Sequence, residues 1–129
     1  MDESKKAISK MPPVLVIDDS DIDRQVMTDL LTRAGFPVHD LPTAIGATRA
    51  AREFGAKVVV IDQNLPALNG AKLAALFRSN PSMKDIKLVL ISSNDAETMA
   101  DLLREARADA FVSKDRMHSD LVSTIRRVL

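Results

Sequence analysis

Two short apolar runs that each end in aspartate constrain the fold of this chain more than any other feature. Residues 14–17 (VLVI) are followed by Asp18 and Asp19, and residues 58–61 (VVVI) are followed by Asp62. A four-residue run rich in β-branched residues is typical of a buried strand in a parallel sheet. Open α/β sheets bind their ligands at the carboxyl ends of the strands. We therefore expect the three carboxylates at a functional edge.

The remainder of the chain alternates predicted strands with predicted amphipathic helices. Strands are predicted at residues 14–18, 36–41, 57–61, 87–91 and 110–112. Helices are predicted at about 21–34, 42–54, 71–79, 95–107 and 119–129. Ser20 and Asn94 are candidate N-caps of the first and fourth helices, and Gly35 is placed to end the first. Regular alternation predicts a parallel sheet covered on both faces by right-handed crossovers.

Composition limits the classes of function. A chain of 129 residues with 46% apolar content suits one domain, and we expect a flexible tail at 1–11 and a domain at 12–129. Eighteen basic and eighteen acidic residues balance, which disfavours direct binding to nucleic acid or to anionic membranes. The absence of cysteine excludes disulfides, thiol catalysis and thiolate metal sites. With no apolar run long enough to span a bilayer, a soluble cytoplasmic protein is expected.

The three carboxylates predict a magnesium site, because burying them together requires a cation or a proton to offset their repulsion. Ser92 and Lys114 follow the other two central strands and are expected on the same rim. A strand-end aspartate such as Asp62 can attack phosphorus and form an aspartyl phosphate. A divalent ion, an ammonium and a hydroxyl would then neutralise the phosphoryl oxygens.

Four motifs, in this order, resemble those of the receiver domain of bacterial response regulators. They are residues 16–20 (VIDDS), 62–70 (DQNLPALNG), 91–93 (ISS) and 111–114 (FVSK). The resemblance covers about residues 14–129 and is to the single-domain, chemotaxis-regulator type. It implies a flavodoxin-like, doubly wound sheet of five parallel strands in the order 2-1-3-4-5 with five helices. It also implies a two-component or phosphorelay signalling protein rather than an enzyme.

The resemblance assigns roles to the residues at the strand ends. Asp62 would be the phosphoacceptor, and Lys114 would contact the phosphoryl group. Asp18, Asp19 and Asp62 would hold Mg²⁺ together with the backbone carbonyl of Asn64. The phosphodonor would be a histidine kinase or a histidine phosphotransfer protein. Self-phosphorylation and self-dephosphorylation would be the only intrinsic chemistry.

The same resemblance indicates how the signal would leave the site. Ser92 and Phe111 would be the switch residues, and their movement would alter the face formed by the fourth helix, fifth strand and fifth helix to control a downstream protein.

Three residues flank the approach to the phosphorus and would tune dephosphorylation: Asn64, Ser93 and Asn94. Ile22 is in the first turn of the helix after Asp19, and we expect it at the exposed rim as a docking anchor.

Departures from the family pattern and alternative functions also follow from the sequence. The family lysine is usually followed by proline, whereas here Asp115 follows, and we expect a trans peptide bond. Ser93 is larger than the family's usual alanine or glycine and would narrow access for the phosphodonor.

The chain is either a free-standing regulator or a receiver cut from a larger regulator or hybrid kinase. A metal-dependent phosphohydrolase would need a carboxylate where Asn64 stands, and a flavin carrier would need aromatic residues beside its ring.

Overall fold

The computed structural model describes residues 11–93 and 96–129, and for residues 96–99 it describes the backbone alone. The predicted tail, apart from Met11, and the predicted N-cap Asn94 lie outside the described residues. The strands are β1 (Val14–Ile17), β2 (Val38–Leu41), β3 (Val58–Asp62), β4 (Lys87–Ser92) and β5 (Ala110–Ser113). The helices are α1 (Asp21–Arg33), α2 (Ala47–Phe54), α3 (Gly70–Ser79), α4 (Ala96–Ala106) and α5 (Met117–Val128).

All five strands are parallel and form one sheet in the order β2-β1-β3-β4-β5, which confirms the predicted topology. The register aligns the carboxyl ends of the strands. Ile17 of β1 pairs with Ile61 of β3, and Asp62 pairs with Ile91 of β4. The residues that follow β1 and β3 therefore lie side by side at one edge.

Helices cover both faces of the sheet, which explains the unbroken apolar runs of the central strands. On one face, Leu15 and Ile61 pack in a cluster that includes Phe77 of α3 and buried alanines of α2 and α4. On the other face, Val16 and Val60 pack in a cluster that draws its helical residues from α1 and α5. None of the helices in the described part of the chain is long and apolar enough to cross a membrane.

Local polar contacts set the helix boundaries. Ser20 caps α1 by accepting a hydrogen bond from the backbone N–H of Asp23 at 3.2 Å, and Gly35 follows the helix with a φ of 97°. The start of α2 differs from its prediction. The Thr43 hydroxyl accepts from the N–H of Ile45, and Gly46 has a φ of 77°, so the chain turns before the helix begins at Ala47.

The start of α5 also differs from its prediction, by two residues. A 3₁₀ turn at Lys114–Arg116 leads directly into Met117, where the helix begins. The described residues contain no cis peptide bond, so the bond between Lys114 and Asp115 is trans, as expected. This turn continues the chain from the end of β5 and places Lys114 at the carboxyl edge of the sheet.

At the opposite edge, the Arg78 side chain joins the end of α3 to the residues that precede β4 and β5. Its guanidinium donates hydrogen bonds to the carbonyls of Ile86 at 2.7 Å and Arg107 at 2.9 Å, and to Asp109 Oδ2 at 2.7 Å. Asp109 Oδ2 also accepts from the backbone N–H of Leu88 at 2.8 Å. The planar, multiply donating guanidinium suits this role.

Candidate functional site

The three predicted aspartates meet at the carboxyl edge of the sheet. Asp18 follows β1 and is 0% exposed, and Asp62 ends β3 and is 1% exposed. Asp19, by contrast, is exposed to solvent. Each can offer one carboxylate oxygen so that all three oxygens lie within 4.8 Å of one another. The cluster is therefore compact enough for one metal ion and open to solvent on one side.

Backbone N–H groups orient the two buried carboxylates in the same way. The N–H of Ser20 donates to Asp18 Oδ1 at 2.9 Å, and the N–H of Asn64 donates to Asp62 Oδ1 at 3.1 Å. Each bond spans two residues, so the turn after each strand fixes the carboxylate that precedes it. The second oxygen of both groups, Oδ2, is left to face the ammonium of Lys114.

Lys114 lies among carboxylates from three elements. Its Nζ is 3.2 Å from Asp18 Oδ2 and 3.4 Å from Asp62 Oδ2, and its side chain is only 16% exposed. Its shortest contact is with Asp23 Oδ2 in the first turn of α1, at 2.9 Å. Burial lowers the pKa of Lys114, but the hydrogen bond that Lys114 donates to Asp23 and the charges of Asp62 and Asp18 prevail and raise this pKa. The ammonium is thus held in its charged form.

The electrostatics of Asp18 fit a bound cation. Burial and the charge of Asp62 raise the pKa of Asp18 from 3.8 to about 6, against the opposing hydrogen bond from Ser20. Its Oδ2 has no hydrogen-bond partner among the described residues, since Lys114 at 3.2 Å forms an ion pair without hydrogen-bond geometry. A buried anionic oxygen with a free coordination position, beside two further carboxylates, matches the oxygen ligands that Mg²⁺ prefers.

Arg24 braces the end of β1 from α1. Its Nη1 donates to the backbone carbonyl of Asp18 at 2.8 Å, its Nε to Asp40 Oδ2 at 2.8 Å, and its Nη2 to Asp21 Oδ1 at 2.7 Å. The side chain therefore links the backbone of the aspartate cluster to α1 and to the edge strand β2. We did not predict this contact, because a basic residue on a helix is ordinarily solvated.

The loop between β3 and α3 is held by two buried features. The Gln63 side chain accepts from the N–H of Ala71 at 2.9 Å, so the amide next to Asp62 binds a backbone N–H in the first turn of α3. Gly70 packs against the strand end so closely that a Cβ would lie 2.6 Å from the carbonyl oxygen of Asp62 and 2.8 Å from the Cα of Gln63. Only glycine allows this approach, which explains the glycine that closes the motif.

The other predicted site residues that the structure describes lie at the same edge or in its surroundings. Ser92 ends β4 and is fully buried, and Phe111 on β5 is half-buried against the core. Ile22 is 78% exposed at the start of α1. The side chains of Asn64 and Ser93 are exposed, and Asn94 lies outside the described residues.

Comparison with known proteins identifies the family. The model of the response regulator receiver domain matches residues 14–126, and the chain belongs to this family. It is 28% identical over 123 residues to the two-component response regulator ORR5 of Oryza sativa subsp. japonica, covering 92% of this chain and 89% of that protein. It is 28% identical over 116 residues to the transcriptional regulatory protein CseB of Streptomyces coelicolor, covering 90% of this chain and 48% of that one.

Solved structures agree on the fold. The Vibrio cholerae chemotaxis protein CheY4 superimposes with a TM-score of 0.85 at 24% identity, covering 92% of this chain and 99% of that one. The chain is thus a receiver domain of two-component signalling, and the flavodoxin-like fold that we predicted is confirmed. Receiver domains are signalling modules that bind Mg²⁺ at an acidic pocket and act with histidine kinases or phosphotransfer proteins and with downstream targets.

Proposed function

We propose that this receiver accepts a phosphoryl group on Asp62 from a histidine kinase or a histidine phosphotransfer protein. The observation that carries the proposal is the environment of Asp62. This carboxylate is 1% exposed, its Oδ1 is fixed by a backbone N–H, and its Oδ2 lies 3.4 Å from the ammonium of Lys114. An oriented anion beside a fixed cation is arranged to attack phosphorus while the charge of the transferring group is neutralised.

In the transfer step, a carboxylate oxygen of Asp62 supplies the electron pair for the new oxygen–phosphorus bond. The phosphorus–nitrogen bond of the donor phosphohistidine breaks, and its electron pair stays on the imidazole nitrogen, which takes up a proton. Lys114 and the buried hydroxyl of Ser92 would contact the phosphoryl oxygens as charge redistributes. Asp18, Asp19, Asp62 and the backbone carbonyl of Asn64 would hold Mg²⁺, and the bound ion would supply further charge neutralisation.

The proposed output is a change in the surface formed by α4, β5 and α5. The phosphoryl group adds acceptor oxygens at the carboxyl edge, toward which the Ser92 hydroxyl would move. The space so vacated would admit the Phe111 ring. A downstream protein would read the altered surface, and the phosphodonor would dock on the α1 side of the site through Ile22.

The lifetime of the aspartyl phosphate depends on how water reaches the phosphorus. Asn64 and Ser93 have exposed side chains after β3 and β4, and we propose that they, together with Asn94, flank this approach. None of the three can act as a carboxylate base toward water, and Ser93 would add bulk. We therefore propose self-dephosphorylation at an intermediate rate, slowed by Ser93.

The family match at residues 14–126 supports a receiver domain that spans residues 12–129. Because histidine kinases take their phosphoryl group from ATP, we propose that the domain works in the cytoplasm. Its relatives include proteins of similar length and longer regulators, of which CseB is an example. The proposed role is the same in either setting, since the phosphoryl chemistry is contained in this domain.

Labelling with a radioactive small-molecule phosphodonor in the presence of Mg²⁺ tests the proposal. The wild-type protein should acquire one acid-stable, hydroxylamine-labile phosphoryl group per chain. Asp62→Asn should abolish the label because an amide does not form an acyl phosphate. Asp29→Asn, an exposed carboxylate of α1, serves as the matched control and should label normally. Full labelling of Asp62→Asn would refute the proposed acceptor.

A further inference from the structure

The shortest ion pair of Lys114 is with a carboxylate outside the cluster of Asp18, Asp19 and Asp62. Lys114 Nζ lies 2.9 Å from Asp23 Oδ2, compared with 3.4 Å from Asp62 Oδ2. Asp23 is on α1, is 28% exposed at its side chain, and is not among the three aspartates whose oxygens converge within 4.8 Å. Neither the metal site nor the transfer step described above uses it.

The position of Asp23 is fixed by the start of α1. Its backbone N–H donates to the Oγ of Ser20, the N-cap, so its Cα is held in the first turn of the helix. Lys114, in turn, lies at the end of β5, where the chain enters a 3₁₀ turn. The pair therefore joins two elements that are 91 residues apart in sequence. A partly buried, charge-assisted hydrogen bond is stronger than an exposed surface pair.

We propose that Asp23 is a positioning residue that holds Lys114 in its resting place and so opposes phosphorylation of Asp62. This inference rests on the proposed function. Asp23 holds the Lys114 ammonium at 2.9 Å, and the ammonium must turn away from it to contact a phosphoryl group on Asp62. The phosphoryl group carries a charge of about −2 and three acceptor oxygens. The carboxylate of Asp23 competes for Lys114 throughout. The resting contact thus sets how readily the domain is activated.

Asp23→Asn tests the proposal because it removes the charge and keeps the shape. At saturating Mg²⁺, the affinity for beryllofluoride and the rate of phosphorylation by acetyl phosphate should both rise about fivefold. Asp21→Asn removes the same charge from the same helical turn, but Asp21 pairs with Arg24 and its side chain is 86% exposed. This control should change both quantities by less than about twofold. Equal responses of the two variants, or no response of Asp23→Asn, would overturn the proposal.

A second pair of variants separates an effect through Lys114 from simple repulsion of an anionic donor. In a Lys114→Met background, Asp23→Asn should alter beryllofluoride affinity by less than about twofold, because the residue on which Asp23 acts is gone. An undiminished increase in that background would mean that Asp23 acts by its charge alone. That result would overturn the positioning role.

A readout that needs no phosphoryl transfer distinguishes this inference from the proposed function. In metal-free protein, the Nζ protons of Lys114 can be followed by NMR, and they should exchange with water several-fold faster in Asp23→Asn than in wild type. An unchanged exchange rate would overturn the positioning role of Asp23 even if Asp62 is phosphorylated normally. Faster exchange in a protein that cannot be phosphorylated would uphold the contact and reject the proposed acceptor chemistry.

Discussion

Phe111 of β5 lies diagonally across from Ser92 of β4 on the same face of the sheet. Phe111 pairs with Leu90, which is two residues before Ser92, and alternate residues of a strand share a face. The phenyl ring packs against the core cluster that contains Leu88 and Leu90. The register therefore places the buried hydroxyl of Ser92, at the carboxyl edge of the sheet, beside an aromatic residue of the outermost strand β5.

The first prediction concerns this pair. Structures determined with and without beryllofluoride should show Ser92 turned toward the acceptor and Phe111 turned inward. Ser92→Ala should leave acceptor labelling measurable but reduce the shift of Phe111, because the hydroxyl that moves is absent. Aromatic NMR signals of Phe111 would report the change. Identical rotamers of both residues in the two wild-type structures would mean that the signal leaves by another route.

The second prediction concerns pH. Because Asp18 has a pKa of about 6 in the metal-free folded protein and an ordinary value of 3.8, the folded state binds more protons between these values. Its contribution to the free energy of unfolding should therefore fall as pH rises from 4 to 6 and stay low above 6. Urea unfolding in chelator should show this trend. Subtracting the free energy of unfolding of Asp18→Asn from that of the wild type at each pH separates the contribution of Asp18 from that of the histidines. Parallel pH profiles of the two proteins would contradict the prediction.

Magnesium should reverse the penalty of ionised Asp18. The ion competes with the proton for the same oxygens, so Mg²⁺ affinity should weaken as pH drops below about 6. The stabilisation by millimolar Mg²⁺ should accordingly be greater at pH 7.5 than at pH 5.

The third prediction concerns the glycine beside the acceptor. Gly70→Ala would place a methyl group 2.6 Å from the carbonyl oxygen of Asp62, and neither backbone can yield easily. We expect a loss of about 1–3 kcal/mol in the free energy of unfolding and weaker Mg²⁺ binding, because the strand end must move. Gly46→Ala is the matched control. It is strained by a φ of 77°, but its added Cβ would meet no atom of the described residues within 4 Å, so it should lower stability without changing Mg²⁺ affinity.

The fourth prediction concerns docking. Ile22 is 78% exposed in the first turn of α1, and Ile22→Lys should slow phosphoryl transfer from a cognate kinase at least tenfold. Phosphorylation by acetyl phosphate should be unchanged. Leu76→Lys alters another exposed apolar residue, 50% exposed on α3, and should affect neither donor. If Ile22→Lys slows both donors equally, the substitution has damaged the site itself.

The sheet and the acidic cluster could be predicted because they follow from local sequence. Apolar runs such as residues 58–61 specify buried strands, and parallel strands bring the residues at their carboxyl ends together. Asp23 was not predicted, because an acidic residue in the first turn of a helix is already explained by the helix dipole. Its contact with Lys114 depends on a separation of 91 residues, which no local pattern encodes.

The late start of α2 has a different cause. A proline and a threonine at 42–43 resemble a helix start, and the sequence does not show that the Thr43 hydroxyl bonds to Ile45 instead. Gly46 then adopts a left-handed conformation. A side-chain hydrogen bond to the backbone thus overrode the helix signal over one turn.

The Arg78 contacts join the segments that lead into β4 and β5, at the edge of the sheet opposite Asp62. Three groups that accept hydrogen bonds from the Arg78 guanidinium, including the Asp109 carboxylate, lie just before β4 and β5. We expect that edge to stay fixed when the carboxyl edge rearranges on the proposed phosphorylation. Native-state hydrogen exchange should then resolve the sheet along its strands. Beryllofluoride should leave the exchange protection of the Leu88 amide unchanged and alter the protection of amides nearer Ser92. The boundary between them would show how far along β4 the structural change extends.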